Sequence, residues 1–150
     1  DNNLAEIYVD TYAKYNQCRT GGRWVDCDDF YDKESFMEHC REIHSDESDP
    51  ELMFSDHSDI PSAFISESSV SEALWLWLES SQKDAIEAYL ESIYTSSVDN
   101  EAEWEILVDA FEDAFIGGIP NFLRNAIDLD KIWNDFSCGG MVEHNGYIFQ

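Results

Sequence analysis

Between Asp84 and Arg124 there is not one Lys or Arg. That gap constrains the fold more than any other feature of the chain. Glu101, Glu105 and Asp109 stand four apart, with Glu112 and Asp113 one turn further on; Glu87 and Glu91 are also four apart, with Asp84 one turn before. Like charges at this spacing destabilise a helix by roughly 0.2–0.5 kcal/mol per pair, and no basic side chain in the stretch relieves them. Helices there must be held by apolar stripes instead. The bias continues along the whole chain: 33 Asp and Glu face 8 Lys and Arg, a formal net charge of −25 over 150 residues. Solubility alone asks a small domain for a net charge of roughly 2–8. The excess works against compaction, so the acidic surface is itself the candidate functional site.

Strongly acidic chains with few aromatics usually stay unfolded. This one carries 5 Trp, 7 Tyr and 9 Phe, and 43% of its residues are hydrophobic, which is enough for a core. Its length suits one domain, or two or three subdomains sharing a core. No run of about 18 apolar residues is present, so no membrane partner is expected. No signal peptide is visible. A surface of this sign repels nucleic acid and anionic lipid. The partner it suits is a basic surface, such as the groove of a nucleic-acid-binding protein.

Ile7, Val9 and Thr11 alternate with Tyr8, Asp10 and Tyr12, which predicts a strand over Glu6–Tyr12. A turn at Asn16–Gly22 and a return strand over Arg23–Cys27 complete a hairpin. Asp32 is placed to cap a helix from Lys33 to about His44, with Phe36, Met37, Cys40 and Ile43 on its apolar face. A carboxylate-dense loop, Ser45–Pro50, leads to a short third strand over Leu52–Ser55. Ser69 with Glu72, and Ser81 with Asp84, resemble capping boxes before two short helices. Paired antiparallel, these would bury Leu74, Trp75, Leu78, Ile86, Tyr89 and Leu90. Thr95–Asn100 reads as a linker. Asp99 is placed to cap a helix through Phe115, with the stripe Trp104, Leu107, Val108, Phe111 and Phe115, stopped by Gly117 and Gly118. Pro120 opens another helix, and Asn145-Gly146 suits the turn of a terminal hairpin. The expectation is an α+β fold in three small subdomains. These are an antiparallel sheet with a helix over 1–60, a helical pair over 61–98, and helices with a β-hairpin over 99–150.

Other chemistry finds little support. Cys18, Cys27, Cys40 and His44 do not match the common zinc spacings, and Cys40 falls on an apolar helix face where it serves as a small hydrophobe. The thiols are expected to be reduced in a cytoplasm. Asp26, Asp28, Asp29 and Asp32 lack the glycine and the ligand spacing of a calcium loop. His39 and His44 do not form HExxH, and no GxSxG, P-loop or GxGxxG motif occurs. Carboxylate pairs are too numerous for any one to mark a glycosidase. No metal, no cofactor and no enzymatic activity are expected.

A four-residue step advances about 6 Å along a helix, and duplex DNA carries its charges about 3.4 Å apart on each strand. Rows of carboxylates at such intervals can stand in for a sugar-phosphate backbone. The candidates are Glu87, Glu91, Glu101, Glu105, Asp109, Glu112 and Asp113 on helices. Asp26, Asp28, Asp29, Asp46, Glu47 and Asp49 join them from loops.

Several short motifs occur together in order. They are Tyr8-Val9-x-x-Tyr12-x-x-Tyr15-Asn16, Gly22-x-Trp24, Phe36-Met37-Glu38-His39-Cys40 and Asp49-Pro50-Glu51. Then follow Phe111-Glu112-Asp113-Ala114-Phe115-x-Gly117, Ile119-Pro120, Leu123, Asn125, Ile127-Asp128, Asp135 and Gly146-Tyr147-x-Phe149. The ordered set resembles the ArdA-type antirestriction proteins over most of the chain. It departs from that pattern at Ala126 and Leu129, where the family carries aromatic residues, and at Asn134, where it carries a basic one. The resemblance implies an elongated DNA mimic of three small domains, encoded by a phage or mobile element. Such a mimic acts in the cytoplasm of a bacterial host, as a homodimer that fills the DNA-binding groove of a type I restriction-modification enzyme at its methyltransferase core. It places the dimer contacts near Val108, Phe111, Phe115 and Ile119. Composition alone leaves two alternatives open. One is a DNA mimic aimed at another basic protein, such as a CRISPR effector, a nucleoid protein or a repressor. The other is an acidic halophilic or cation-binding globular protein.

Overall fold

The computed structural model describes residues 4–114 and two later strands, Val142–His144 and Tyr147–Phe149. The chain divides into two compact units, one of 1–81 with 96–104 and the other of 82–95 with 105–150. The fold is α+β. Among the described residues, no helix is long and apolar enough to cross a membrane.

In the first unit, strand β1 (Glu6–Thr11) lies between β2 (Arg23–Asp26) and β3 (Leu52–Ser58), antiparallel to both. The alternation in β1 sends Ile7, Val9 and Thr11 fully inside. Ile7 faces Val25 on one side; on the other, Val9 faces Phe54 after a register shift between Tyr8 and Val9. β1 stops one residue earlier than the alternation suggests. The Thr11 hydroxyl accepts from the Lys14 amide at 3.2 Å and turns the chain into a short helix, α1 (Tyr12–Asn16). β2 is also shorter than expected: the Asp26 carboxylate accepts from the Asp28 amide at 2.9 Å, so Cys27–Asp29 forms a 3₁₀ turn. β3 runs three residues past the expected Ser55, because β1 continues beside it as far as the Glu6–Ser58 pair.

Helix α2 (Lys33–Ile43) begins as expected, with Asp32 accepting from the Ser35 amide at 2.8 Å. It buries Phe36 and Cys40. The Phe36 ring lies 5.3 Å from Trp75 of helix α3 (Ala73–Glu79) and 6.4 Å from Phe54 of β3. Burying a side chain of this size contributes roughly 1.5–3 kcal/mol. The Trp75 indole N–H donates to the Cys27 carbonyl at 3.2 Å, so the aromatic cluster carries no unpaired polar edge.

The capping box expected before α3 does not form. Ser69 bonds Ser66, hydroxyl to hydroxyl at 2.8 Å, and Ser71 accepts from the Ala73 amide at 3.0 Å instead. A short bridge between Ile65 and Val70 draws the two serines together. Leu74, Trp75 and Trp77 are buried, while Leu78 is half-buried. The stretch read as a linker is anchored: Val98 is fully buried and its amide donates to the Ala63 carbonyl at 2.8 Å. Helix α5 (Glu101–Ala114) is capped by Asn100, not Asp99; the Asn100 side chain accepts from the Glu103 amide at 3.0 Å. The Glu103 carboxylate reaches back to the Asp99 amide at 2.7 Å, which moves the reciprocal cap one residue along.

In the second unit, helix α4 (Lys83–Ser92) starts after Gln82, rather than after Ser81. It buries Ala85, Ile86, Ala88, Tyr89 and Leu90. Phe111 of α5 meets Tyr89 edge-on at 5.6 Å, and Leu107 is fully buried one turn before it. β4 (Val142–His144) and β5 (Tyr147–Phe149) pair antiparallel, with His144 opposite Tyr147, as the predicted hairpin requires. The Asn145-Gly146 turn, the Gly117-Gly118 stop and the helix expected after Pro120 lie outside the described residues.

Candidate functional site

Helix α5 sorts its residues by face. Leu107 and Phe111 are buried, whereas Glu101, Glu105, Asp109, Glu112 and Asp113 are all exposed. At 100° per residue these five carboxylates fall within one arc, opposite the buried pair. Spread over three turns, they form a ridge roughly 18 Å long, with steps of about 4–6 Å from Glu101 to Glu112 and Asp113 adjacent to Glu112. On α4, Glu91 is exposed and Glu87 half-buried. Of the loop acids, Asp28, Asp29 and Asp49 are exposed, while Asp26 is half-buried as the cap of its 3₁₀ turn.

Asp46 and Glu47 have a different setting. Lys14 is 4% exposed, and its ammonium donates to Asp46 Oδ1 and Glu47 Oε2, both at 2.9 Å. The third contact of the ammonium is His44 Nδ1, also at 2.9 Å. An ammonium has three protons and no lone pair, so Nδ1 must accept. The imidazole proton is then on Nε2, which donates to the Val9 carbonyl at 3.1 Å within the fully buried His44 site. The Thr11 hydroxyl donates to the same Glu47 oxygen at 2.7 Å. Arg19 approaches Asp46 from outside at 3.9 Å. The result is a locally neutral latch: two cations against two carboxylates.

The titration of these groups follows from the contacts. Burial alone would lower the Lys14 pKa, but the hydrogen bonds to Glu47 and Asp46 outweigh it and hold the group above the ordinary lysine value. The Lys14 hydrogen bond holds Asp46 below the usual carboxylate range. Glu47 is lowered first by Lys14 and then by Thr11. His44, Asp46 and Glu47 are also the described residues whose ligand atoms converge, within 4.8 Å of one another. The position a metal ion would take is held by the Lys14 ammonium.

The carboxylates of Asp26 and Asp32, read together as a possible calcium run, each cap a helical turn instead. Cys27 and Cys40 are buried hydrophobes; burial pushes the Cys40 thiol up to about 12 and raises Cys27 as well. Of the positions expected at a dimer contact, Val108 is half-buried and Phe111 is buried against Tyr89 within its own unit. Phe115 and Ile119 lie outside the described residues.

Sequence reasoning missed Lys14, His44 and Thr11. One signal pointed to Lys14: in a chain with 8 basic residues, this one falls between Tyr12 and Tyr15.

Fold and surface together define the class: a small, strongly acidic α+β protein with exposed carboxylates on the solvent face of α5 and in the loops of its first unit. The antirestriction protein (ArdA) family matches residues 7–149, and the chain belongs to that family. No curated protein and no solved structure gives a significant match.

Proposed function

We propose that the protein inhibits a type I restriction-modification enzyme by occupying the DNA-binding groove of its methyltransferase core. The exposed carboxylates imitate DNA phosphates. The observation that carries this reading is the one-signed ridge of α5, set on the face opposite its core. A stretch of sequence without Lys or Arg from Asp84 to Arg124 brings no relief of like-charge repulsion to folding. It does compete for the basic side chains that otherwise contact phosphate.

The α5 ridge supplies the proposed mimicking carboxylates, with Glu87 and Glu91 on α4 and Asp28, Asp29 and Asp49 in the loops of the first unit as further candidates. Asp26, Asp46 and Glu47 contribute less, because a backbone amide or Lys14 already engages them. The same reading includes a homodimer with contacts near Val108, action in the bacterial cytoplasm, and carriage by a phage or mobile element.

The test is DNA displacement. The protein is titrated into a type I methyltransferase holding labelled specific duplex, at several salt concentrations. Stoichiometric release that weakens as salt rises is the expected result. Changing Glu101, Glu105, Asp109, Glu112 and Asp113 together to amides should weaken release and flatten its salt dependence, while any single change does little. Inhibition left intact by the fivefold change would remove the ridge from the mechanism.

A further inference from the structure

A groove of about 280 Å³ opens in the first unit between the start of α2 and the outer side of α3. Tyr31, Trp75 and Leu76 give it an aromatic and aliphatic wall, and Glu34, Glu72, Glu79 and Glu101 stand around it. Acidity alone assigns nothing on a surface this acidic. What sets the groove apart is Tyr31. Its side chain is 80% exposed, the highest value among the large hydrophobic residues described. The neighbouring aromatics are accounted for by packing: Phe30 lies 5.7 Å from Phe36, and Trp75 lies 5.3 Å from Phe36 and is bonded to Cys27. Among the described residues Tyr31 joins no such ring cluster, so none of the packing described accounts for an aromatic ring at this position.

The rim is partly fixed in place. Glu72 accepts from the Glu101 amide at 3.0 Å, which ties α3 to the start of α5. The Asp32 side chain is committed to capping α2. Among the described residues Lys33 is the one basic side chain at the groove, against Glu34, Glu79 and Glu101, with Glu72 already engaged by the Glu101 amide.

We infer that this groove receives an arginine side chain of the protein partner, with the guanidinium against the Tyr31 ring and its N–H fork directed at the surrounding glutamates. The charge is complementary, and the combination of a ring face with several carboxylates is selective. A guanidinium is planar, weakly hydrated and able to stack while donating in its plane. An ammonium is compact and strongly hydrated, and gains less from a ring. The inference deepens the proposed function, since it names the side chain such a partner would supply, and it rests on that reading only for the partner's identity.

Two fluorescent peptides test it, an octa-arginine and an octa-lysine of equal charge, titrated into the full chain at physiological salt. The expected result is tighter binding of the arginine peptide, by roughly two- to fivefold for one exposed ring contact. Tyr31→Ala should abolish that preference and leave the lysine peptide unaffected; Tyr31→Phe should retain it. Because Tyr31 is mostly solvated, the alanine variant should match the parent in circular dichroism. Equal binding of both peptides by the parent would overturn the inference, as would a preference that survives in Tyr31→Ala. DNA displacement measured in parallel separates the two proposals. Displacement without an arginine preference sinks the groove alone, and an arginine preference without displacement sinks the restriction target alone.

Discussion

Replacing Lys14 with Met keeps the aliphatic stem and removes the ammonium. Gly21 shows how closely the stem is enclosed: a Cβ added there would stand 2.6 Å from Lys14 Cδ. Met can fill that space. It cannot donate to His44 Nδ1, Asp46 Oδ1 and Glu47 Oε2, each now 2.9 Å from Nζ. Removing one partner of a fully buried ion pair costs about 3–5 kcal/mol. Here Asp46 is half-exposed and can turn to water, while His44 and part of Glu47 cannot. A loss of about 2–3 kcal/mol follows, which lowers the melting temperature by roughly 4–12 °C for a chain of this size. The sign with pH is fixed by the shifts. Asp46 and Glu47 are lowered in the folded state, so their contribution is present above their ordinary values and is lost as pH falls through the lowered ones. Lys14 is raised, so its contribution is present below the ordinary lysine value and is lost only as pH rises through the raised one. Thermal melts of parent and variant from pH 3 to 9 should therefore differ most near neutrality and converge at the acid end. Adding Asp46→Asn and Glu47→Gln to Lys14→Met should recover part of the loss. Equal melting temperatures at pH 7, or a gap undiminished at pH 3, would refute the latch.

Three further expectations can be checked directly. Gly22→Ala brings a Cβ into overlap with the hydroxyl edge of the Tyr8 ring, which is itself held edge-on against Trp24 at 5.5 Å; overpacking of this kind costs about 1–3 kcal/mol, readable as a lower urea midpoint. Asn100→Ala should cost about 1 kcal/mol by removing the α5 cap, and Asp99→Ala should cost less, because its amide and not its side chain serves the Glu103 carboxylate. In thiol labelling followed by mass mapping, exposed Cys18 should react in the native protein, while Cys27 and Cys40 should react only after unfolding.

Particular residues show where sequence reasoning succeeded and where it stopped. Asp32 could be read as a cap because its partner, Ser35, is three residues away. The failures were also local in character but turned on a neighbour. Ser69 was free to bond Ser66 only because the Ile65–Val70 bridge folds that segment back on itself. Asn100 displaced Asp99 because Glu103 could reach the Asp99 amide, and both residues are good caps by type. Thr95–Asn100 is polar enough to read as a linker, yet a single Val98 seated beside Ala63 anchors it.

The sequence by itself determined the α+β order of elements, the inward set Ile7, Val9 and Thr11 of β1, the apolar pair Leu107 and Phe111 of α5, and the one-signed face opposite that pair. These follow from periods of two and 3.6 residues, which burial enforces wherever one face meets the core. Only the tertiary structure decided which carboxylates are spent inside the protein. Asp46 and Glu47 look the same in sequence as Asp28 and Asp29, but Lys14, more than thirty residues away, neutralises the first pair and leaves the second in solvent. Charge attraction has no sequence period. It depends on which side chains the folded backbone brings within about 3 Å, and on how far water is excluded there.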